Sequence, residues 1–496
     1  MKRIFILFFL LALQHIVAAQ TFNAPSQANL LSTKNLYQKL ISAPNPDLAG
    51  LTLFANALPK GGDLHHHFSG SIYVENYLEW IRENGFCVFT ESDPGIKAQK
   101  YRVATNPNRL SKEQKSICIS ADEVLKDNLF YRNLLMEWSS KDYSNHYHDQ
   151  TPPDKHFFDT FRYFENVSPY GYSSGLQILK ARAKQENVSY IETMLKSSPS
   201  IVSPELAALF KSLKPDASDA QIQSVAAQAF QLVKDHPDTQ TKIQEHVKMI
   251  ESASQGIDDD AFKMRFLTYT SRNSAPEVVF SRLYTSFASA DQSNKIVGVN
   301  MVGAENHHIA MKDYTLHMNM IAFLRKQFPN VKLALHAGEL VLGMVPPEGL
   351  RFHITQAVNL AKANRIGHGV DIAHETDVTE LLPVMAKNQI ALEVNITSNK
   401  DILGVKGSDH PLSIYRAYKV PYVISTDDSG ISRNNLSGEY QLYMATFRPS
   451  YEELKNTIFN SIRFSFLSEQ EKDEELKKLK AKFNEFESLM ARYPKR

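Results

Sequence analysis

Apolar and β-branched residues recur along the chain in short runs separated by amphipathic stretches. The runs are KGGDLHHHF (60–68), VSYIETML (188–195), MRFLTYTS (264–271), IVGVNMVG (296–303), KLALHAGE (332–339), RIGHGV (365–370), IALEVNIT (390–397) and PYVISTDD (421–428). Between most of them the apolar positions return with helical period, as in DYTLHMNMIAFLRKQF (313–328) and FHITQAVNLAKA (352–363). Strands alternating with helices predict a parallel sheet, and eight strands are the number that closes a (β/α)8 TIM-type barrel of the α/β class. Residues 20–57 precede the first strand and read as a helical extension. Residues 69–187 are too long for one crossover, and 85–120, with both cysteines and few helical signals, read as a subdomain inserted after the first strand. Residues 196–260 read as an enlarged helical connection after the second. The catalytic domain is expected to span 58–496.

The first nineteen residues follow a different pattern. Lys2 and Arg3 precede an apolar run from Ile4 to Leu13, and small residues follow up to Ala19. This is the layout of a cleavable signal peptide ending at Ala19, so the protein is expected to be secreted or periplasmic, with no membrane attachment after cleavage. The 496 residues are 43% hydrophobic and 22% charged, with a formal net charge of +1. That balance suits a large globular core, and it offers no basic surface for nucleic acid. Cys87 and Cys118 are not a CxxC pair; in an oxidising compartment they form one disulfide, and otherwise they stay as two buried thiols.

The chemistry concentrates at the strand ends. In LHHHF, alternation along a strand points His65 and His67 to one side and His66 to the other, so one strand offers two imidazoles to one centre. A second HxH, His146 and His148, lies among polar residues with no strand signal and reads as surface loop. HAGE puts His336 and Glu339 at the end of the fifth strand, GHG puts His368 at the end of the sixth, and STDDS puts Asp427 and Asp428 at the end of the eighth. C-terminal strand ends of such a barrel meet at one mouth, where active sites lie. Three histidines and a carboxylate with an open position suit a catalytic divalent metal, zinc first.

The ordered set LPKGGDLHHHFSGSI, MVGAEN, HAGE, RIGHG and STDDS resembles the adenosine deaminase family of metal-dependent (β/α)8 hydrolases, from about Leu58 to about Asp428. The signal peptide, extension and insertion are similar to its secreted branch, the adenosine deaminase growth factors, in which helices such as those of 20–57 could pair two subunits as a homodimer. The resemblance implies one Zn2+ per chain held by His65, His67, His336 and Asp427. It implies Glu339 as the acid that protonates purine N1, His368 as the residue that orients the attacking water and helps deprotonate it, and Asp428 as a carboxylate near that water and purine N7. Gly303 then faces purine N3 through its backbone N–H, and HFFDTFRYF (156–164), with Phe157 and Phe161, resembles the aromatic helix that covers the nucleoside; their four-residue spacing equally suits a helix core. Where the family's common form has an aspartate two residues after the HxH pair, this chain has Ser69, which can still meet a ribose 5′-hydroxyl but brings no charge.

The implied activity is hydrolytic deamination of adenosine and 2′-deoxyadenosine, an exported small-molecule reaction. A modified adenine nucleoside or a nucleotide is the alternative that Ser69 leaves open. An inactive extracellular binding or signalling protein is the reading from another class, and its mark would be loss of a ligand or of the acid; all are present. The other zinc deaminase signature, HxE with PCxxC, is absent from the sequence.

Overall fold

A computed structural model describes residues 27–92, 99–141, 143, 151–214 and 216–493. The expected signal peptide and the HxH at His146 and His148 lie outside the described residues. Eight parallel strands form the centre: β1 Gly61–His67, β2 Val188–Ser197, β3 Lys263–Ser271, β4 Ile296–Val302, β5 Lys332–Ala337, β6 Arg365–His368, β7 Ala391–Val394 and β8 Tyr422–Ile424. Each pairs with the next in chain order. The ring closes between β8 and β1 where the Asp427 N–H donates to the His65 carbonyl at 2.9 Å and the His67 N–H donates to the Asp427 carbonyl at 3.2 Å. The (β/α)8 barrel is the one the apolar runs predict. Several strands stop earlier than their runs: β5 ends at Ala337, β6 at His368, and β7 at Val394, after which a helix begins at Ile396.

The strands are buried on both faces, as helix-covered parallel strands must be. A charged residue inside the barrel therefore needs partners. Arg365 donates to Glu393 at 2.5 Å and to Glu192 at 2.6 Å, and lies 3.8 Å over the Phe466 ring. An isolated ion there would carry an uncompensated desolvation cost.

Two helices, Gln27–Ser42 and Leu48–Ala57, precede the barrel. They pack on the C-terminal helix Glu469–Ala491 through Tyr37, Phe54 and Phe486, with ring centroids 5.4 Å (Tyr37–Phe54) and 5.0 Å (Phe54–Phe486) apart. After β1, strands Cys87–Ser92, Gln99–Ala104 and Ile119–Ser120 make a small antiparallel sheet, and Cys87 is disulfide-bonded to Cys118. This stretch also holds a helix, Lys112–Ile117, begun by a capping box between Ser111 and Gln114, a start signal present in SKEQ that the apolar pattern does not register. Three helices, Pro204–Lys211, Asp219–Lys234 and Thr239–Ala253, fill the connection after β2. Among the described residues no helix is long and apolar enough to cross a membrane.

Candidate active site

The C-terminal strand ends surround a cavity of about 700 Å3, within the range of small-molecule sites. Ser69, Phe157, Phe161, Gly303, Glu339, His368 and Asp428 all line it, with His67, His336 and Asp427 at its floor. His65 lies behind that floor and is fully buried. His66 turns to the other face of β1, where its Nδ1 meets the Thr193 hydroxyl at 2.8 Å.

Four donor atoms converge. His65 Nε2 is 3.0 Å from His336 Nε2 and 3.4 Å from Asp427 Oδ1. His67 Nε2 is 3.2 Å from both His336 Nε2 and Asp427 Oδ1. The other ring nitrogens decide what these atoms are. His65 Nδ1 faces a carboxylate oxygen of Glu393 at 2.6 Å and must donate to it. His336 Nδ1 faces Asn300 Oδ1 at 2.9 Å, an oxygen already accepting the Met301 N–H at 2.7 Å, so it too donates. The two Nε2 atoms are then bare lone pairs facing each other beside a carboxylate. With both rings neutral they have no proton to share, and a cation between them makes the arrangement favourable. The residues fit such an ion: donors at about 2.0–2.1 Å from a tetrahedral zinc stand about 3.3 Å apart. Glu393 and Asn300 supply the outer hydrogen bonds that orient ligating imidazoles.

His368 lies beside this set, with a ring nitrogen within 4.8 Å of the donor atoms of His65, His336 and Asp427 and its Nε2 3.8 Å from Asp427 Oδ2. Its tautomer follows from a chain of bonds. The Leu412 N–H donates to His410 Nδ1 at 3.2 Å, so His410 Nε2 carries the proton and donates to Asn399 Oδ1 at 3.1 Å. Asn399 then presents its amide N–H to His368 Nδ1 at 2.9 Å. Neutral His368 therefore points an N–H, not a lone pair, toward the cavity floor.

The backbone here is held in unusual conformations. His368 and Asp427 have φ of 68° and 60°, a left-handed region that non-glycine residues enter at a cost, and Gly303 has φ 100°. A Cβ on Gly303 would come within 3.1 Å of the Asn273 amide.

Burial pushes the Glu339 carboxyl well above the usual carboxylate range, and the charges of Asp427 and Glu305 add to it. A bound cation would offset the Asp427 share but not the burial, which is the larger cause. Asp428 is raised for the same two reasons, burial first and then Asp427. The cavity thus holds a carboxyl that burial pushes toward its protonated form beside a donor set that suits a cation.

The aromatic wall comes from helix Pro153–Phe164, where Phe157 and Phe161 pack edge-to-face with centroids 6.0 Å apart. Phe158, Tyr172 and Tyr269 line the cavity as well, and nothing in their local pattern marks them out. The inserted sheet supports this helix from outside: Trp138 stacks on Tyr163 at 6.2 Å and donates to the Tyr101 carbonyl at 3.1 Å. Asn300, Glu393 and Asn399 were not singled out by the motifs. Glu393 carried a signal, a lone carboxylate in the apolar strand ALEV, since a buried charge needs a partner.

Comparison with known proteins bears on the family and the fold. The adenosine deaminase family model matches residues 223–482. The adenosine deaminase of Clostridium acetobutylicum is 31% identical over 185 residues, 37% of this chain and 50% of the relative, so the chain spans about half the length of the curated relatives it matches. Among solved structures, the adenine deaminase of Arthrobacter aurescens is similar with a TM-score of 0.52 at 17% identity, over 85% of this chain and 98% of that one. The Arabidopsis N6-mAMP deaminase is similar with a TM-score of 0.54 at 17% identity, over 86% and 99%. The matched span covers more than half of the chain and carries His336, Glu339, His368, Asp427 and Asp428 in a barrel of the same architecture, and the chain belongs to the adenosine deaminase family of metal-dependent hydrolases.

Proposed function

We propose that the protein is an exported adenosine deaminase that converts adenosine and 2′-deoxyadenosine to their inosine forms with release of ammonia. The observation that carries this is the floor of the cavity, where three imidazole nitrogens and Asp427 converge beside a buried Glu339 whose carboxyl is pushed toward its protonated form. His65, His67, His336 and Asp427 would hold one zinc ion, the metal that suits three imidazoles, one carboxylate and an open position. When bound, such an ion lowers the pKa of water from about 15.7 to about 7 and so supplies a nucleophile at neutral pH.

The chain's own residues do the rest. Phe157 and Phe161 cover the purine, and Gly303 offers its N–H at N3. Glu339 gives its proton to N1, which draws electrons from C6 and opens that carbon to attack. The His368 N–H, fixed by Asn399, orients the attacking oxygen by donating to it. Asp428 lies on the same side, and its carboxyl, raised like that of Glu339, gives a proton to the leaving amine. One water is consumed: the C6–N bond breaks as the protonated amine leaves as ammonia, the C6 hydroxyl returns its proton to Asp428, and Glu339 regains the proton that the water lost on ionising. Ser69 meets the ribose 5′-hydroxyl. The expected export rests on the pattern of residues 1–19, and the helices of 27–57 are the surface through which two copies would pair.

One observation favours a second reading. The cavity lining carries Ser69 and Lys196, a hydroxyl and a cation, at positions open to a 5′-phosphate. A panel of adenosine, 2′-deoxyadenosine, AMP and N6-methyl-AMP, with zinc content measured on the purified protein, separates the two. Turnover of adenosine with AMP poor supports the first; the reverse order replaces it with the second.

A further inference from the structure

Glu339 is the residue whose placement matters most to the proposed chemistry, yet its carboxyl accepts no hydrogen bond from any described residue. His368 Nδ1 lies 3.6 Å from it, and that nitrogen is already taken by Asn399. A carboxyl left free to meet a substrate cannot be oriented by bonds to itself. Its backbone must be held instead.

The holding group is Glu305, in the loop after β4. One of its oxygens accepts the Gly338 N–H at 3.1 Å and the other accepts the Glu339 N–H at 2.9 Å. We propose that Glu305 is a positioning residue for Glu339: its carboxylate clamps two successive backbone N–H groups of the turn that carries the acid, and so fixes where that acid meets the purine. This rests on the reading of Glu339 as the proton donor to N1.

The clamp is itself built in. Glu305 is buried, and His353 Nδ1 donates to it at 2.5 Å while Arg272 Nη1 stands 3.4 Å away. Burial alone would raise its pKa, but Arg272 and His353 bring it down to about 2, so it is a carboxylate at any working pH. Arg272 also donates to the His336 carbonyl at 2.8 Å, which ties the clamp to a ligand-bearing strand. His353 is held by the Tyr314 ring stacked on it at 3.7 Å. The turn is also tight: Gly338 has φ 76°, and a Cβ there would stand 2.3 Å from an Asp371 oxygen, so the position takes only glycine. Two amides accepted by one carboxylate with fixed outer partners define a direction as well as a position.

Two variants test this. Glu305→Gln keeps the reach but turns one acceptor into an N–H that faces a backbone N–H. Glu305→Asp keeps the charge beside Arg272 but draws the oxygens back by one methylene, and serves if the Gln variant does not fold. Amide hydrogen exchange in the peptide spanning 336–341 should rise several-fold in either, the size expected for a lost hydrogen bond. In adenosine turnover kcat should fall by about 10²-fold, the cost of misplacing a reacting group by about an ångström, with KM and zinc content near wild type. In a Glu339→Gln background, Glu305→Gln should cost no more than about a further twofold, because the residue it positions has lost its proton. Unchanged exchange, or a loss that multiplies in full in the double variant, overturns the proposal. A wild-type protein that does not turn over adenosine would instead remove the deaminase reading, and the exchange experiment would still decide whether Glu305 clamps the turn.

Discussion

Replacing Glu393 separates the two duties that the structure gives it. One oxygen accepts the His65 Nδ1 proton at 2.6 Å and the other accepts from Arg365 Nε at 2.5 Å. In Glu393→Ala, His65 loses the partner that fixes its ring and keeps Nε2 unprotonated. An outer partner of this kind is worth about 10- to 100-fold in metal affinity, or about 1.4–2.7 kcal/mol. Arg365 is left buried with Glu192 as its remaining carboxylate, and breaking a buried pair costs about 3–5 kcal/mol of stability. Glu192→Gln touches the same arginine without touching His65, so it should lower stability and leave zinc affinity near wild type. Zinc affinity is read by competition with a chromophoric chelator, and stability by the denaturant midpoint of the zinc-loaded protein. Wild-type zinc affinity in Glu393→Ala, or equal zinc loss in Glu192→Gln, would refute the assignment of His65 as an oriented ligand.

His66→Ala should keep bound zinc while His65→Ala and His67→Ala lose most of it, measured by metal analysis of the purified variants; equal loss in all three would overturn the register of β1. Asn399→Asp reverses the bond chain, makes His368 Nδ1 a donor and strips the proton from its Nε2; kcat should fall at least about 10-fold, within the roughly 10⁴-fold that a wrong histidine tautomer costs elsewhere, with KM little changed. Reducing the Cys87–Cys118 bond, which closes a separation of 31 residues, should lower stability by about 3–4 kcal/mol in the chain-entropy picture. Because the inserted sheet packs on the helix that carries Phe157 and Phe161, the reduced protein should also show a raised KM. Two titratable thiols in the denatured, unreduced protein would contradict the bond.

The barrel was legible because most of its strands, buried on both faces, are rich in apolar residues, and because turns and helices separate the runs cleanly. The motif residues were legible for a related reason: a histidine or carboxylate at the end of such a run has few structural uses. The outer partners were not. Asn300, Glu305 and Asn399 earn their place only through residues distant in the chain, and an asparagine inside IVGVNMV has the same local pattern whether or not it meets His336. The cavity wall contributed by Tyr172 and Tyr269 was hidden in the same way. The inserted sheet escaped because its strands are short and half-exposed, so period-two alternation never runs long enough to be read.

Glu339→Gln bears most directly on the central claim. The glutamine keeps the shape and an N–H donor but has no proton to deliver to N1. Its turn is held by Glu305 through the backbone, so the fold and the metal floor should be untouched. With zinc content near wild type and a modest change in KM, kcat for adenosine should fall by at least about 10²–10⁴, the usual worth of a positioned acid. Retained kcat in the zinc-loaded variant would remove Glu339 from the acid role, and the proposed mechanism with it.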